Sequence, residues 1–305
     1  MKVAFTPGVT RWNDILGRAL DTAFEVEYGE EDPDLLFVSD TDPPDPRASQ
    51  CRSILVAIEN SWPDFNTQCG GLIFLHTDHP RALRLPFYAL TSRPDELTKG
   101  EGYSDKILNE DRRFCAFVAS NMNEFRTKRR AVFFKQLHAR RHVDSGGSFM
   151  NNLGYRAPDL KDFYRNYRFV ITIENQDWPG YTTEKIVSAM RCGCIPIYWG
   201  NRRIAEDFNT KSFINLHDFQ SSEKAIDYIL QVDQDESLRR QYLDEPFLHD
   251  NRPGKWFDHK RVADYLIRIM DLPIPSRRLP YLRHKIFRMQ RKMKPYVDPL
   301  LQRDK

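Results

Sequence analysis

The sequence predicts an α/β protein made of two successive doubly wound parallel sheets with covering helices. Three observations carry this expectation. Short runs rich in Val, Ile, Leu and Phe alternate with longer stretches of helical period, the pattern of strand–helix–strand units. The chain has 305 residues, enough for two domains of roughly 150 residues each. A polar stretch, PDELTKGEGYSDKILNEDRR at residues 94–113, separates an earlier series of such units from a later one.

In the earlier series, KVAF, FEVEY, LLFVS, SILVAIE and GLIFLH read as strands. WNDILGRALDTAF reads as an amphipathic helix with Ile15, Leu16, Ala19, Leu20 and Ala23 on one face. The polar stretch reads as a linker or loop. In the later series, FCAFVAS, FVITIE, CIPIYWG and SFINL read as strands. RTKRRAVFFKQLHAR, TTEKIVSAMRC, SEKAIDYILQVD and HKRVADYLIRIMDL read as helices. The domain division expected from this is 1–105, 106–275 and a tail, 276–305. Ligands of doubly wound sheets sit outside the carboxyl ends of the strands, which places a site in a cleft between the two lobes.

Composition narrows the function classes. Hydrophobic residues make up 40% and charged residues 29%, ordinary for a soluble globular protein. The net charge of +3 is unevenly placed: residues 277–305 carry ten Lys or Arg against two Asp, an excess of +8, which leaves the rest at −5. The tail mixes these cations with apolar residues. A helix over residues 282–293 would put Ile286, Met289 and Met293 on one side and most charges on another, which suits anionic lipid and predicts peripheral membrane contact through residues 277–294. No nucleic-acid-binding motif accompanies the local charge, so no nucleic-acid partner is expected. The five cysteines are odd in number and have no framework spacing. With no signal-like apolar run at the N-terminus and no window of about 18 apolar residues, the expected location is cytoplasmic, on the inner membrane face if the tail binds lipid.

The most informative stretch is IENQDWPGYTTEKIVSAMRCGCIPIYWG, residues 173–200. The preceding FVITIE has β-branched residues on both faces and reads as a central parallel strand. Its end carries Glu174 and Asn175. A Pro-Gly turn follows, with Thr183 placed as N-cap of the next helix and Gly193 at its end. A helix N-terminus at the carboxyl end of a strand attracts anions. Lys185 in the first turn opposes the helix dipole by about 0.3–1 kcal/mol, and a negatively charged ligand would reverse that. A solvated Lys185 paired with Glu184 or another carboxylate is the alternative, and Asn175 and Tyr181 as turn-forming and packing residues are others.

The same stretch resembles the α-1,3/4-fucosyltransferase family, whose pattern runs F-E-N-x-x-x-x-G-Y-x-T-E-K-I, then I-P-I-Y-W-G, then D-F-N-P-K-S-F-I-N-V-x-D-F. This chain has IENQDWPGYTTEKI, IPIYWG and EDFNTKSFINLHDF. Ile173 stands for the usual Phe and Thr210 for the usual Pro, and neither departure removes a polar contact. Thinner similarity reaches FCAFVASN, VDSGG, NNLG, RLPFYAL and AIENSWPDF. The resemblance implies a GT-B glycosyltransferase of two facing Rossmann-like lobes that moves L-fucose from GDP-fucose with inversion. The acceptor it implies is an oligosaccharide or glycolipid hydroxyl, at O3 or O4 of GlcNAc in an N-acetyllactosamine-type or lipopolysaccharide glycan. Carried over by position, Asn175, Tyr181 and Glu184 meet the fucose or ribose-phosphate region, and Lys185 the diphosphate.

Inverting transfer needs stabilisation of departing GDP and a base for the acceptor hydroxyl. Besides Lys185, an arginine at the start of RTKRRAVFFKQL is implied at the phosphates. Arg126, Arg129 and Arg130 compete for this role, and Arg130 fits the register of RAVFFKQL best; a solvated basic face is the plain alternative. Glu59, at the end of SILVAI and before WPDF, is the expected base on the acceptor side. The triplet Asp40-Thr41-Asp42 has the form of a metal-binding DxD, but it lies far in sequence from the donor residues, so neither metal nor other cofactor is expected to be essential. Three other readings stay open: the same fold using another GDP-sugar, a non-catalytic sugar-nucleotide binder and, suggested by the basic tail alone, a nucleic-acid-binding protein.

Overall fold

The computed structural model describes residues 1–10, 13–59, 61–65, 68–120 and 124–274. The expected tail, residues 276–305, lies outside the described residues, as does the Arg126 side chain. The α/β class expected from the sequence is what is found. The strands are β1 (Lys2–Phe5), β2 (Glu27–Tyr28), β3 (Leu35–Ser39), β4 (Arg52–Val56), β5 (Gly70–Ile73), β6 (Ala82–Arg84), β7 (Arg113–Phe117), β8 (Val143–Ser145), β9 (Tyr167–Ile173), β10 (Ile195–Trp199) and β11 (Ile214–Asn215). They form two sheets, ordered β2-β1-β3-β4-β5-β6 and β11-β10-β9-β7-β8.

The second sheet is parallel throughout. The expected central strand is central: β9 pairs with β10 on one side and β7 on the other, Phe169 standing opposite both Ile195 and Cys115. Its period-two alternation is used on both faces. Phe169, Ile171 and Ile173 pack into a core with Phe133, Phe134 and Leu137 of the helix Glu124–Arg140 and with Ile226 and Ile229 of the helix Ser222–Gln234. Val170 points the other way, to Ala116, Phe163, Tyr164 and Ala189. Helices on both faces of a parallel sheet explain why β9 reads as unbroken hydrophobic sequence.

The first sheet pairs β1 with β2 and β3, and β3 and β5 with β4, all in parallel. The helix Asn13–Ala23 buries Ile15, Leu16, Ala19 and Leu20, four of the five residues assigned to its apolar face.

Two expectations are corrected. Residues 94–113 are not a linker: they form a 3₁₀ turn, Pro94–Leu97, and a helix, Tyr103–Leu108. Leu97 is fully buried, and the Lys99 ammonium donates to the Leu243 and Glu245 carbonyls at 2.6 and 2.5 Å. These carbonyls close the helix Glu236–Asp244, so a polar sequence here is satisfied by orphan acceptors of a helix end rather than by water. The compact units also differ from the division at residue 105: one comprises Met1–Ile73, Thr77–Leu83 and the chain from Val262, the other Phe74–His76 and Arg84–Arg261. The helix His259–Met270 explains why the chain returns to the first unit. Its Tyr265 hydroxyl accepts from Gly71 N at 2.7 Å and donates to Arg81 O at 3.0 Å.

Candidate active site

The order β8-β7-β9-β10-β11 reverses direction between β7 and β9. The carboxyl ends flanking such a reversal are where doubly wound sheets hold ligands. Arg130 lies on the helix that follows β7, and Glu174 and Asn175 follow directly on β9. The Arg130 guanidinium spans the reversal through a hydrogen bond from Nη2 to Asn175 Oδ1. Arg130 is 4% exposed, and its Nε has no hydrogen-bond partner among the described residues. Burial lowers its pKa, while the charges of Glu174 and Glu184 oppose that. An arginine is seldom buried with a donor unsatisfied, so this one is suited to an anion that supplies the missing acceptor.

Glu174, 1% exposed, collects the next contacts. Its carboxylate accepts from Thr183 N at 2.8 Å, from Thr183 Oγ1 at 2.7 Å and from Lys185 Nζ at 2.8 Å. Gly200, after β10, makes room for it: a Cβ there would stand 2.6 Å from Glu174 Cγ. Lys185 therefore pairs with Glu174, not with Glu184. Burial alone would lower the Lys185 ammonium; the charges of Glu174 and Glu184 override it and raise the pKa, so the side chain is held charged. Glu184 is half-buried and makes no hydrogen bond or ion pair among the described residues. Glu174 and Glu184 both act electrostatically on Arg130 and on Lys185.

The helix start expected to attract an anion follows Thr183 directly. The helix is Glu184–Met190, only two turns, and Thr183 occupies the N-cap position without a side-chain cap bond. Its hydroxyl is engaged with Glu174 instead. Arg130 and Lys185 are the cations that act on one another beside it. Gly193 does take the left-handed conformation that ends the helix, at φ +72°.

Tyr181 is 2% exposed and reaches the site from a turn that the sequence shows only as Pro179-Gly180. Gly180 has φ +90°, and a Cβ on it would meet His76 N at 2.3 Å, so only glycine fits. Its N–H donates to Asn201 Oδ1 at 2.6 Å and its carbonyl accepts from Arg84 Nη2 at 2.7 Å. Arg84 makes a two-pronged ion pair with Asp207 at 2.7 Å on both oxygens, and Thr182 Oγ1 donates to Asp207 Oδ2 at 2.7 Å. Arg84, Asn201 and Asp207 are all buried. These residues were not singled out from the sequence, where 123 positions separate Arg84 from Asp207. The only signal was that both fall inside resembling segments, RLPFYAL and EDFNTKSFINLHDF. Arg129 places its guanidinium 4.3 Å from the centre of the Trp199 ring, near the end of β10, so Arg130 rather than Arg129 is the buried member of that pair.

Glu59 belongs to the first unit. Strand β4 stops at Val56, so Glu59 sits in the turn beyond the strand and not at its end. It is half-buried, and its N–H donates to Asp40 Oδ2 at 3.2 Å. Asp40 also accepts from Ile58 N at 2.9 Å, and Asp42 from Gly8 N at 2.8 Å. Both carboxylates of the DxD triplet therefore hold backbone amides, and those on Asp40 shape the turn that carries Glu59. Among the described residues, no group of three or more His, Cys, Asp or Glu is arranged to hold a metal ion.

Residues 108–245 match the family model described as glycosyltransferase family 10 (fucosyltransferase), C-terminal part. The chain is similar to the alpha-(1,3)-fucosyltransferase FucT of Helicobacter pylori, 41% identical over 203 residues that cover 56% of this chain and 42% of that protein. It is 32% identical over 128 residues to alpha-(1,3)-fucosyltransferase B of Drosophila melanogaster, covering 37% of this chain and 28% of that one. The matched regions thus span less than half the length of these relatives. Among solved structures it resembles an alpha1,3-fucosyltransferase crystallised with GDP-fucose, with a TM-score of 0.75 and 26% identity over 91% of this chain and 93% of that chain. The two-sheet α/β fold and the resemblance to the α-1,3/4-fucosyltransferase family read from the sequence both agree with these likenesses.

Proposed function

We propose, with residues 108–245 as a glycosyltransferase family 10 C-terminal region, that the chain is an inverting α-1,3-fucosyltransferase using GDP-fucose. The observation that carries this is the buried Arg130 guanidinium, whose Nε lacks an acceptor among the described residues, beside the Lys185–Glu174 pair at the carboxyl ends of β7 and β9. A diphosphate supplies the acceptors that Arg130 lacks, and a charge-assisted Arg–phosphate bond contributes about 1.5–3 kcal/mol. Asn175, Tyr181 and Glu184 line the same site and are assigned to the fucose and ribose-phosphate.

In the proposed step, an acceptor hydroxyl oxygen attacks C1 of fucose on the face opposite the leaving group. The C1–O bond to the β-phosphate breaks, and the hydroxyl proton passes to the Glu59 carboxylate. Charge gathering on GDP is met by Arg130 and Lys185. The acceptor assigned is a GlcNAc O3 in an N-acetyllactosamine-type or lipopolysaccharide glycan. Incubation with GDP-fucose and a panel of such acceptors, followed by linkage analysis, tests the assignment: an α-1,3-fucosylated product is expected, and absence of any fucosylated product across the panel would refute it.

Because cationic side chains neutralise the diphosphate in this account, EDTA is expected to leave the initial rate within about twofold of the untreated enzyme. Loss of transfer in EDTA with recovery on adding Mn²⁺ would contradict the metal-free assignment. The tail is assigned to an anionic membrane surface. Truncation after Pro275 is expected to abolish sedimentation with phosphatidylglycerol vesicles and to retain turnover on soluble acceptors; equal sedimentation of both forms would remove the tail from that role. No helix among the described residues is long and apolar enough to cross a membrane.

A further inference from the structure

Glu174 has no part in the reaction as described, yet it is the most completely buried carboxylate beside the cations of the site. Everything around it is arranged to keep it there. Its N–H continues the ladder to Trp199 O at 2.8 Å, its carboxylate takes two donors from Thr183, and Gly200 leaves the space its side chain fills. Its one ion-pair partner among the described residues is Lys185. If the lysine were needed only as a cation, a buried carboxylate against it would be a poor neighbour, because it cancels the charge offered to a diphosphate. The two cations, Arg130 and Lys185, and the two carboxylates that act on both, Glu174 and Glu184, sum to zero charge.

We propose that Glu174 is a positioning residue with a second effect: it fixes the Lys185 ammonium at the site and, by compensating its charge, limits how tightly the nucleoside diphosphate product is retained. This rests on the assignment of GDP to the site. The physical logic is that uniform attraction for a diphosphate strengthens substrate and product binding alike without accelerating transfer, and an over-retained product slows turnover. A lysine already bonded to a carboxylate offers less ground-state attraction. With two N–H bonds taken by Glu174 and Thr183 Oγ1, its third is left to donate to charge that develops on the leaving phosphate.

The test is titration calorimetry of GDP with the parent and with Glu174→Gln, together with steady-state kinetics. The amide keeps the side-chain shape and removes the negative charge. GDP is expected to bind roughly three- to tenfold more tightly to the variant, the effect of one unscreened charge near a diphosphate, with a steeper salt dependence and a lower kcat. Weaker or unchanged GDP binding by Glu174→Gln would overturn the proposal. A parent that binds no GDP would instead overturn the site assignment itself. Should the single variant not fold, Lys185→Met and the double variant Glu174→Gln/Lys185→Met decide the matter. With the lysine gone, Glu174 faces the diphosphate uncompensated, so the double variant is expected to bind GDP at least about threefold more tightly than Lys185→Met. Equal or weaker binding by the double variant would exclude charge compensation by Glu174.

Discussion

Lys185→Ala is expected to lower turnover by roughly 10²-fold or more, the scale of loss when one donor to a developing oxyanion is removed. The structure explains why this lysine is not replaceable by its neighbours. Its ammonium is held 2.8 Å from Glu174 and 2.8 Å from Thr183 Oγ1, so it is oriented before any ligand arrives. Arg130 is fixed by its own bond to Asn175 and does not fill the gap. The substitution also leaves Glu174 buried without its cation, an arrangement that costs about 1–3 kcal/mol when the removed partner was partly exposed, as Lys185 is at 28%. Denaturant unfolding separates the two effects, because kcat is read well below the unfolding transition. A change in kcat under about threefold, in folded protein, would refute the role.

The sign of the pH effect follows from the raised Lys185 pKa. The folded state holds the proton more tightly than the unfolded chain, so the stabilisation by the Lys185–Glu174 pair is present below the ordinary lysine range and is lost as pH rises through the folded value. The pair is therefore intact at neutral pH.

Glu59→Gln is expected to abolish transfer, by roughly 10²- to 10⁴-fold as for loss of a general base, and to leave GDP-fucose affinity within about threefold of the parent. The amide cannot take the acceptor proton but keeps the shape of the turn. That turn depends on backbone donors to Asp40, including Glu59 N itself, which the substitution does not touch. Full activity in this variant would place the base elsewhere.

What the sequence made legible was whatever depends on local pattern. β9 declared itself by β-branched residues on both faces, and the helix after it by Gly193 at its end. Lys185 stood out because a cation in a first turn is electrostatically misplaced. Its partner was not legible: Glu184 is adjacent in sequence, but adjacent helical residues face apart, and the carboxylate that meets the ammonium is Glu174, eleven positions back across the turn. The buried support of that turn was hidden for the same reason. Arg84, Asn201 and Asp207 act through contacts between distant segments, which no periodicity records. Residues 94–113 misled because polarity suggests solvent, whereas here Lys99 satisfies the carbonyls that end the helix Glu236–Asp244. Arg130 could be placed by family register among three candidates; its burial and unsatisfied Nε came only from the fold.

A crystal structure of the chain soaked with GDP measures most directly where the nucleotide binds. The expected result is a diphosphate at the carboxyl ends of β7 and β9, with a phosphate oxygen accepting from Arg130 Nε and another from Lys185 Nζ. GDP bound at any other place, with Arg130 Nε still lacking an acceptor, would contradict it.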